Sequence, residues 1–345
     1  MNALSCPALH ALLLPLDGGA LTWPQGAAAF LRARMGLPMQ LVPRAQVNCE
    51  QSFKPDADAL AAAGFAVTPC VPDARYPLVL LLPPRQREEA RALLARATAL
   101  CEEGGVVLAA TPNAMGAKSA EADFKALLGV DGQLSKHHCR TYWARKHSER
   151  VDAALLDAWR VLDAPRTIMD GRYRSRPGVF SWDRADAGSG LLAEYLPQNL
   201  QGDGADFGAG WGYLADQALA TNAGIRRLHL FEAEARALAL ARENTARHAG
   251  TAELAYFWHD VAAGVDQRYD FILCNPPFHD PDGSVRPSLG ARFIEVAAQA
   301  LRPRGQLWLV ANRQLPYEAT LTTHFDWRSV AERGGFKIIQ ASKRR

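Results

Sequence analysis

The segment "GADFGAGWGYLADQALA" (residues 204–220) decides the fold, because it joins a short apolar strand to a helix through three glycines. Gly208, Gly210 and Gly212 stand at alternate positions of the loop. Glycine lets a backbone turn tightly and approach a ligand without a clash from Cβ. The following helix presents free amide groups at its N-terminus. The pattern predicts a cofactor site at the carboxyl end of this strand.

Strand-like and helix-like segments alternate after this loop through the C-terminal half of the chain. Alternation of strands with helices of roughly 10–15 residues is typical of βαβ units. We therefore predict an α/β fold with a doubly wound, mostly parallel sheet. The segments are "RRLHLFE" (226–232), "AEARALALARENTARH" (233–248), "AYFWHDV" (255–261), "YDFILCN" (269–275), "ARFIEVAAQAL" (291–301) and "GQLWLVAN" (305–312).

The first half of the chain carries a partial copy of this pattern. "RYPLVLLLPPRQ" (75–86) matches "RYDFILCNPPFH" (268–279). An internal duplication is the simplest explanation. The first copy has Leu82 where the second has Asn275, and it has no similar glycine-rich loop. We therefore expect one chemically equipped copy and one degenerate copy.

Length and composition agree with a globular chain of two domains. The chain has 345 residues, of which 48% are hydrophobic and 22% are charged. It is too long for one typical core and too apolar for a disordered protein. We predict domains at residues 1–165 and 166–345, with the first as a scaffold for the second.

The cysteines and the N-terminal segment argue against a metal site, a signal peptide and a membrane span. The six cysteines form no CxxC pair, so we expect no metal site and reduced thiols in the cytoplasm. Residues 1–19 ("MNALSCPALHALLLPLDGG") lack a basic region before their apolar run, and Pro15 interrupts that run. We predict a strand there rather than a signal peptide. No stretch of about 18 apolar residues exists, so we expect no membrane span.

The glycine spacing narrows the kind of cofactor. A dinucleotide fingerprint has the pattern GxGxxG, whereas here Gly212 comes one position early and Tyr213 takes its place. A Walker loop would need Gly-Lys-Ser/Thr, which the loop lacks. The D-x-G-x-G-x-G spacing of residues 206–212 instead resembles motif I of S-adenosylmethionine-dependent methyltransferases. That resemblance implies S-adenosyl-L-methionine as the cofactor, with Asp206 and the three glycines as cofactor contacts.

Two carboxylates close the next two predicted strands. Glu232 ends "LHLFE", where a carboxylate can accept hydrogen bonds from both ribose hydroxyls. Asp260 ends "FWHD", where a carboxylate can accept one from the adenine amino group. Taken alone, Glu232 is also explained as a solvated acid at the start of a helix, and a residue such as Asp260 is more often a surface residue than a ligand. Together with the glycine loop they predict one cofactor site.

The strand that ends at Cys274 runs directly into Asn275, Pro276, Pro277 and Phe278. In the predicted arrangement this end faces the methyl group of the cofactor. An exocyclic amine of a nucleobase is a poor nucleophile, because its lone pair is delocalised into the ring. The Asn275 side-chain oxygen and the Pro276 carbonyl can accept its hydrogens and stabilise the developing positive charge. The prolines restrict the backbone, and Phe278 offers a stacking face.

We therefore predict Asn275, Pro276 and Phe278 as catalytic residues, with Asn275 also contacting the cofactor. Pro277 and His279 are predicted substrate contacts. A strong general base is not required, since the proton can leave after transfer. A proline-stiffened loop with a capping asparagine is the alternative interpretation of the isolated motif.

Enzymes that methylate adenine N6, guanine N2 and a glutamine amide share this motif, and the tetrapeptide alone leaves these alternatives open. Three segments narrow the choice: "RPGVFSWDRADAGSGLL" (176–192), "NPPFHD" (275–280) and "LWLVANRQLPYE" (307–318). With them, the chain resembles the bacterial ribosomal RNA guanine-N2 methyltransferases of the RsmC/RlmG group. The resemblance is close over the C-terminal half and extends to the first half as that group's degenerate methyltransferase-like domain.

The resemblance implies two tandem Rossmann-like class I methyltransferase domains and methyl transfer to guanine N2 of ribosomal RNA. The RsmC branch, which modifies 16S RNA, is the nearer match, and the RlmG branch, which modifies 23S RNA, is the alternative. The resemblance places Phe180 and Ser181 near the cofactor. The chain departs from the group at Trp211, where a small residue is usual, and at Arg304, where a second glycine is common.

Cations interleaved with aromatic residues favour an RNA partner. They cluster in residues 136–150 and 166–176, and we predict Arg172, Arg174 and Arg176 as substrate contacts. A solvated basic face is the alternative, because the net charge of +3 permits a nucleic-acid partner without requiring one. We expect ribosomal RNA or the small ribosomal subunit as the partner of a monomer, and the first domain to support the second or help bind RNA.

Two functions of other classes compete with this interpretation. One is a non-catalytic RNA-binding or ribosome-assembly factor that keeps the fold. The intact glycine loop, Glu232, Asp260 and Asn275 argue against it. The other is an NAD-dependent oxidoreductase, which the glycine spacing disfavours.

Overall fold

The computed structural model describes residues 6–277 and 287–344. The chain divides into two compact units, Met1–Ala164 and Pro165–Arg345, each with its own sheet. No helix in the described ranges is both long enough and apolar enough to cross a membrane.

The described part of the first unit forms five α-helices and seven strands. The helices are α1 (Pro7–Asp17), α2 (Lys54–Ala62), α3 (Arg87–Leu100), α4 (Ala117–Leu128) and α5 (Ala153–Trp159). The strands are β1 (Ala28–Leu31), β2 (Val47–Glu50), β3 (Ala66–Thr68), β4 (Tyr76–Leu81), β5 (Cys101–Pro112), β6 (Gly132–Lys136) and β7 (Cys139–Arg145). Their order in the sheet is β3-β2-β1-β4-β5-β7-β6. The first five are parallel, and β7 is antiparallel to both of its neighbours.

The N-terminal strand that we predicted is wrong, because α1 is a helix. Alanine and leucine are strong helix formers, and Pro7 at the first turn costs no intrahelical hydrogen bond. Pro15 cannot donate to the carbonyl of Ala11, four residues earlier. The Thr141 hydroxyl donates to that carbonyl instead, at 3.0 Å. A hydrogen bond from a distant strand therefore makes the proline tolerable, and no local pattern could show it.

The described part of the second unit forms five α-helices and nine strands. The helices are α6 (Ala187–Tyr195), α7 (Tyr213–Thr221), α8 (Ala235–Thr245), α9 (Pro287–Ala300) and α10 (Glu318–His324). The strands are β8 (Arg166–Ile168), β9 (Tyr173–Ser175), β10 (Gln201–Phe207), β11 (Gly224–Glu232), β12 (Glu253–Trp258), β13 (Tyr269–Cys274), β14 (Leu301–Asn312), β15 (Phe325–Arg333) and β16 (Phe336–Lys343).

The second sheet has the order β12-β11-β10-β13-β14-β16-β15, while β8 and β9 form a separate hairpin. This order repeats that of the first sheet, and again the first five strands are parallel. The predicted fold class is confirmed: two doubly wound, mostly parallel α/β sheets. After β10 the chain continues to β11, which lies on one side of β10, and it later returns to form β13 on the opposite side of β10. The topological switch point of the sheet therefore lies between β10 and β13.

Alternating side chains of the central strands fill two hydrophobic layers, one on each face of the second sheet. Ile272 and Cys274 of β13 pack toward α9, whereas Phe271 and Leu273 pack toward α6 and α7. Residues 271–274 of β13 are therefore buried and apolar, whereas Asp270 near the start of the strand is half-buried and pairs with Arg302. The first polar side chain after β13 is therefore Asn275, at the carboxyl edge of the sheet, beside the ends of β10 and β14.

Candidate active site

The glycine loop connects the end of β10 to the start of α7. Gly208, Gly210 and Gly212 all have positive φ angles, at 76°, 55° and 90°. This left-handed region is strained for residues with Cβ. At Gly212 there is also no space, because an added Cβ would lie 3.0 Å from the Cα of Ala241 in α8. At Gly210 nothing in the described chain would lie within 4 Å of that Cβ, so the loop leaves room on this side.

Glu232 is half-buried at the end of β11, and both of its oxygens accept backbone hydrogen bonds. Oε2 accepts from the amide of Gly210 at 2.7 Å, and Oε1 accepts from that of Glu234 at 2.8 Å. Burial raises the pKa of this carboxyl, and the two amides oppose the rise. The amides fix the side chain, while each oxygen keeps a further lone pair for a ligand hydroxyl.

Asp206 lies in β10 immediately before the loop and is fully buried. Neither carboxylate oxygen accepts a hydrogen bond of ordinary geometry from the described residues. Burial, and then the neighbouring charge of Glu232, raise its pKa to about 7, and the backbone amide of Ala215 at the start of α7 opposes the rise. A buried carboxylate without a partner is costly, so this position favours a ligand that brings a positive charge or hydrogen-bond donors.

Asp260 follows the end of β12, as predicted for an adenine contact. It is half-buried, and its Oδ1 accepts a hydrogen bond of 2.9 Å from the amide of Ala262 at the start of a short 3-10 helix, Val261–Ala263. The structure thus places Asp206, Glu232 and Asp260 at the same edge of the sheet, at or just beyond the ends of the neighbouring strands β10, β11 and β12.

Asn275 follows β13 and is held by two residues that the sequence prediction missed. Its Nδ2 donates to Oδ2 of Asp186 at 2.9 Å and to the hydroxyl of Ser189 at 2.8 Å. Both residues belong to the start of α6. The pattern Asp-x-x-Ser at residues 186–189 is a recognisable helix start, but the hydrogen bonds to Asn275 span more than 80 residues of sequence.

The rest of the Asn-Pro-Pro-Phe motif is described in part. Pro276 is buried and Pro277 is exposed. Phe278 and His279 lie outside the described residues, so their predicted roles as stacking face and substrate contact stay predictions.

The segment around Phe180, expected to cover the cofactor, lies against the glycine loop. The carbonyl of Ser181 accepts a hydrogen bond from Nε1 of Trp211 at 3.2 Å. The Phe180 ring is 64% exposed although its neighbour Val179 is buried. An aromatic ring held in solvent beside the loop is available to contact a ligand.

The Trp211 side chain explains one departure from the family pattern. It is buried among Ile168, Tyr173 and Val179, and its ring centre lies 5.2 Å from that of Tyr173. The bulky side chain therefore packs under the β8–β9 hairpin. It connects this hairpin and the Phe180 segment to the glycine loop.

The three predicted substrate arginines lie on or beside the β8–β9 hairpin. Arg172 is exposed and lies over the ring of Tyr173, at 5.6 Å from its centre. Arg174 is exposed but pairs with Glu243 at 3.1 Å. Arg176 is half-buried. The structure brings the hairpin to the glycine loop through Trp211, whereas contact of these arginines with RNA stays a prediction.

The first unit offers an internal comparison, because its strand register repeats that of the second. Leu31 pairs with Glu50 and Leu81 as Phe207 pairs with Phe231 and Cys274. When this register is continued residue by residue, each site residue of the second unit acquires an equivalent position in the first. The position of Asp206 is occupied by Phe30, that of Gly208 by Arg32, that of Gly210 by Arg34, that of Glu232 by Gln51 and that of Asn275 by Leu82.

The equivalent site of the first unit has lost its polar ligand groups. Arg32 keeps a left-handed φ of 54° but carries a long side chain that pairs with buried Glu89 at 2.6 Å. The side-chain amide nitrogen of Gln51 donates a hydrogen bond of 2.7 Å to the carbonyl of Ala33. An apolar ring and a neutral amide stand in place of the two carboxylates, and two arginines stand in place of glycines, so this edge does not suit a cationic ligand.

The edge of the second unit does fit S-adenosyl-L-methionine. Its positive charge matches the unpartnered carboxylate of Asp206, its ribose hydroxyls match Glu232, and the open side of Gly210 leaves space for the ligand. The loop has no lysine or arginine for a phosphate, and this cofactor has none. In residues 6–277 and 287–344, no group of three or more His, Cys, Asp and Glu side chains could hold a metal ion.

Comparisons with known proteins agree with this geometry. Residues 170–340 match the family model of the methyltransferase small domain. Proteins named ribosomal RNA small subunit methyltransferase C are similar along most of the chain. That of Aliivibrio fischeri is 31% identical over 77% of each chain. That of Salmonella choleraesuis is 34% identical over 74% of this chain and 73% of its own.

One solved structure is similar over almost the whole chain. It is the T. thermophilus 16S rRNA N2 methyltransferase (RsmC) in complex with AdoMet and guanosine. The TM-score is 0.80 at 24% identity, covering 99% of this chain and 93% of that one. This likeness supports the two-unit fold.

Proposed function

The chain belongs to the ribosomal RNA small subunit methyltransferase C family, and from that premise we propose that it methylates the exocyclic N2 of a guanine in 16S ribosomal RNA. S-adenosyl-L-methionine, when bound, supplies an electrophilic methyl group on a sulfonium centre. Asp206, the glycine loop, Glu232 and Asp260 would hold it. The second unit is the catalytic one in this proposal.

The observation that carries the proposal is the orientation of Asn275. Both hydrogens of its amide nitrogen are donated, to Asp186 and to Ser189. Its Oδ1, which no donor of the described residues occupies, is left as an acceptor at the carboxyl edge of the sheet. An acceptor there selects a substrate that offers hydrogens, which is what an amine does.

The reaction of an exocyclic amine needs its lone pair to be made available. Oδ1 of Asn275 and the Pro276 carbonyl would accept the two hydrogens of the guanine N2 amine. These contacts draw the nitrogen toward tetrahedral geometry and stabilise the positive charge that develops on it. The proton can leave to solvent after transfer. Orientation and electrostatics therefore account for most of the rate enhancement, and we assign no general base.

The substrate guanine has to be unpaired or extruded to reach Asn275, because N2 is otherwise engaged in base pairing. The exposed Phe180 ring and the β8–β9 hairpin lie beside the loop and are the surfaces that we assign to RNA contact. We further propose that the first unit supports the second or helps bind RNA, and that the protein acts in the cytoplasm as a monomer on ribosomal RNA or the small subunit.

Methylation of defined RNA tests the proposal. Ribosomal RNA from a strain that lacks the corresponding gene is incubated with tritium-labelled cofactor, as naked 16S RNA, naked 23S RNA and each subunit. We expect label in 16S RNA or its subunit, on a guanine that is then mapped. Label in 23S RNA would support the RlmG-type alternative. Label in protein, or none in any substrate, would refute the proposal, and the latter would favour a non-catalytic assembly factor.

The Asn275→Ala variant tests the mechanism separately. We expect cofactor affinity within a few-fold of wild type and methyl transfer lowered by about 100-fold or more, the scale of losing one oriented polar group. Asn199→Ala, an exposed asparagine before β10 at the opposite edge of the sheet, is the control and should keep full turnover. Unchanged turnover in Asn275→Ala would contradict the assigned role.

A further inference from the structure

Asp186 lies at the N-cap of α6 and serves two partners with one oxygen. Its Oδ2 accepts a hydrogen bond from the backbone amide of Ser189 at 2.9 Å, which caps the helix, and another from Nδ2 of Asn275 at 2.9 Å. The hydroxyl of Ser189 accepts from the same nitrogen at 2.8 Å. The start of one helix therefore binds both amide hydrogens of Asn275.

These partners decide which atom of the amide faces the substrate. The oxygen and the nitrogen of an asparagine side chain have nearly the same shape, so only hydrogen-bond partners distinguish the two orientations. An ionised carboxylate accepts hydrogen bonds and cannot donate them. Asp186 therefore fixes the Asn275 nitrogen toward α6, and Oδ1 points away from it. In the opposite orientation, two acceptor oxygens would face each other.

The helix that carries Asp186 is itself rigidly packed. Leu191 and Leu192 are buried in the layer formed with Trp308 and Ile338. At Gly188 an added Cβ would lie 3.0 Å from the ring of Phe336, so the first turn of α6 lies directly on β16. A site residue held by a packed element keeps its geometry more accurately than one held by a free loop.

We propose that Asp186 is a positioning residue for methyl transfer, which holds the Asn275 amide with its oxygen toward the acceptor amine, and that Ser189 is its second support. Donation of an N–H hydrogen bond to a charged carboxylate also shifts electron density from the amide nitrogen toward Oδ1. This makes Oδ1 a stronger acceptor. This inference rests on the proposed function, because it acts through the assigned role of Asn275.

Three variants separate positioning from capping. In Asp186→Ala we expect turnover to fall by about 10- to 100-fold, as expected when a reacting group is misplaced by about 1 Å, with cofactor affinity within a few-fold of wild type. Asp186→Asn keeps an equally good cap, and one amide oxygen can still accept both bonds. It should therefore remain within about 5-fold of wild type, the loss of charge alone. Ser189→Ala should fall between them.

Asp152→Ala is the matched control for the lost cap. Asp152 caps α5 in the first unit, where its side chain accepts from the Leu155 amide at 2.9 Å. This variant should lose a similar amount of stability to thermal unfolding and keep full turnover. If Asp152→Ala lost as much turnover as Asp186→Ala, the effect would be one of stability, and the inference would be wrong.

A double-mutant cycle tests whether Asp186 acts through Asn275. In the Asn275→Ala background, Asp186→Ala should cause no further loss of turnover. Fully additive losses would overturn the inference. If Asp186→Ala does not fold, the same cycle with Ser189→Ala decides, because that change leaves the cap in place.

A measurement without turnover makes the two proposals separable. The side-chain amide protons of Asn275, observed by NMR, should be protected from solvent exchange in the wild-type protein and lose protection in Asp186→Ala. Unprotected protons in the wild type would refute the positioning role. Protected protons in a wild-type enzyme that methylates no RNA would refute the proposed function and leave the contact between Asp186 and Asn275 standing.

Discussion

The backbone amide of Gly210 donates a 2.7 Å hydrogen bond to Oε2 of Glu232. The glycine loop after β10 and the carboxylate that ends β11 are thus one connected feature. The Glu232 side chain that would contact the ligand is therefore the same one that orders the glycine loop. Changes at Glu232 should therefore affect cofactor binding twice, through the lost acceptor and through the loosened loop.

Glu232→Gln should weaken the binding of S-adenosyl-L-methionine by about 10- to 100-fold, because hydrogen bonds to a charged group are worth about 1.5–3 kcal/mol. Glutamine has one acceptor oxygen for two backbone amides, so either Gly210 or Glu234 would face an amide nitrogen. Isothermal titration calorimetry measures the change. Glu253→Gln, an exposed residue at the start of β12, is the control and should bind normally. Equal affinities in the two variants would contradict the assignment.

Two glycines of the same loop should respond differently to alanine. Gly212→Ala combines a φ of 90° with the approach of its Cβ to within 3.0 Å of the Ala241 backbone. We expect a loss of roughly 2 kcal/mol or more in the free energy of unfolding. Gly210→Ala has a φ of 55° and open space, so it should lose only about 1 kcal/mol while its Cβ enters the space assigned to the cofactor.

Chemical denaturation and calorimetry together check this contrast. Gly250→Ala is the reference, because Gly250 has neither a positive φ nor a neighbour within 4 Å of the added Cβ. It should leave both stability and cofactor affinity unchanged. A Gly210→Ala variant that binds the cofactor as tightly as wild type would show that the open side of the loop is not the binding side.

The parallel core of the fold was predictable because its strands are short apolar runs between helices. β13 is the clearest case, since its residues 271–274 are buried on both faces and form an apolar run that ends at the polar residue Asn275. Strand ends therefore marked Glu232, Asp260 and Asn275 as site candidates. The α1 helix was mispredicted for the opposite reason, because the acceptor freed by Pro15 is satisfied by Thr141, far away in the chain.

Partners brought in by tertiary structure were not predictable. Asp186 looks like an ordinary helix cap in sequence, and only the fold shows that it also holds Asn275. Trp211 appeared as an oversized residue in the glycine loop, and only the packing of Tyr173 against it shows where the ring goes. Local pattern specified which residues end each strand, while long-range contacts determine how their side chains are oriented.

The raised pKa of Asp206 predicts an unusual dependence of the free energy of unfolding on pH. Its pKa is raised to about 7 by burial and by Glu232, whereas an unfolded aspartate titrates near pH 3.9. Between these values the native state binds the proton and the unfolded state does not. The free energy of unfolding contributed by this group therefore falls as pH rises through this window, and it stays constant above the native pKa. Between about pH 5.5 and 8, the contribution of Asp206 to the free energy of unfolding of the cofactor-free protein should fall by about 2 kcal/mol.

Asp206→Asn removes the titration and should flatten the slope of unfolding free energy against pH, as measured by denaturation without cofactor. Asp203→Asn in the same strand is the control. Burial opposes ionisation there too, but the ion pairs with Arg302 and Arg227 hold the pKa of Asp203 below its usual value. That variant should lower stability by a constant amount over the window. Identical slopes for wild type and Asp206→Asn would show that Asp206 titrates normally.

The difference between the two units predicts one cofactor per chain. In the first unit Arg32 and Arg34 stand at the glycine positions and Gln51 stands at the Glu232 position. A cationic ligand therefore finds neither carboxylate of the second site at these positions, and the carboxylate of Glu89 is already paired with Arg32. Calorimetric titration should give a stoichiometry of one, and Glu232→Gln should weaken that single transition.

Gln51→Glu tests whether one carboxylate could restore the first site. We expect the stoichiometry to stay at one, because the guanidinium groups of Arg32 and Arg34 remain and Leu82 offers no acceptor in place of Asn275. The new carboxylate would also lose the amide donation of Gln51 to the Ala33 carbonyl, so the variant should be less stable than wild type. A second binding event in the wild-type protein would mean that the first unit keeps a site of its own, built from groups other than those at the repeated positions.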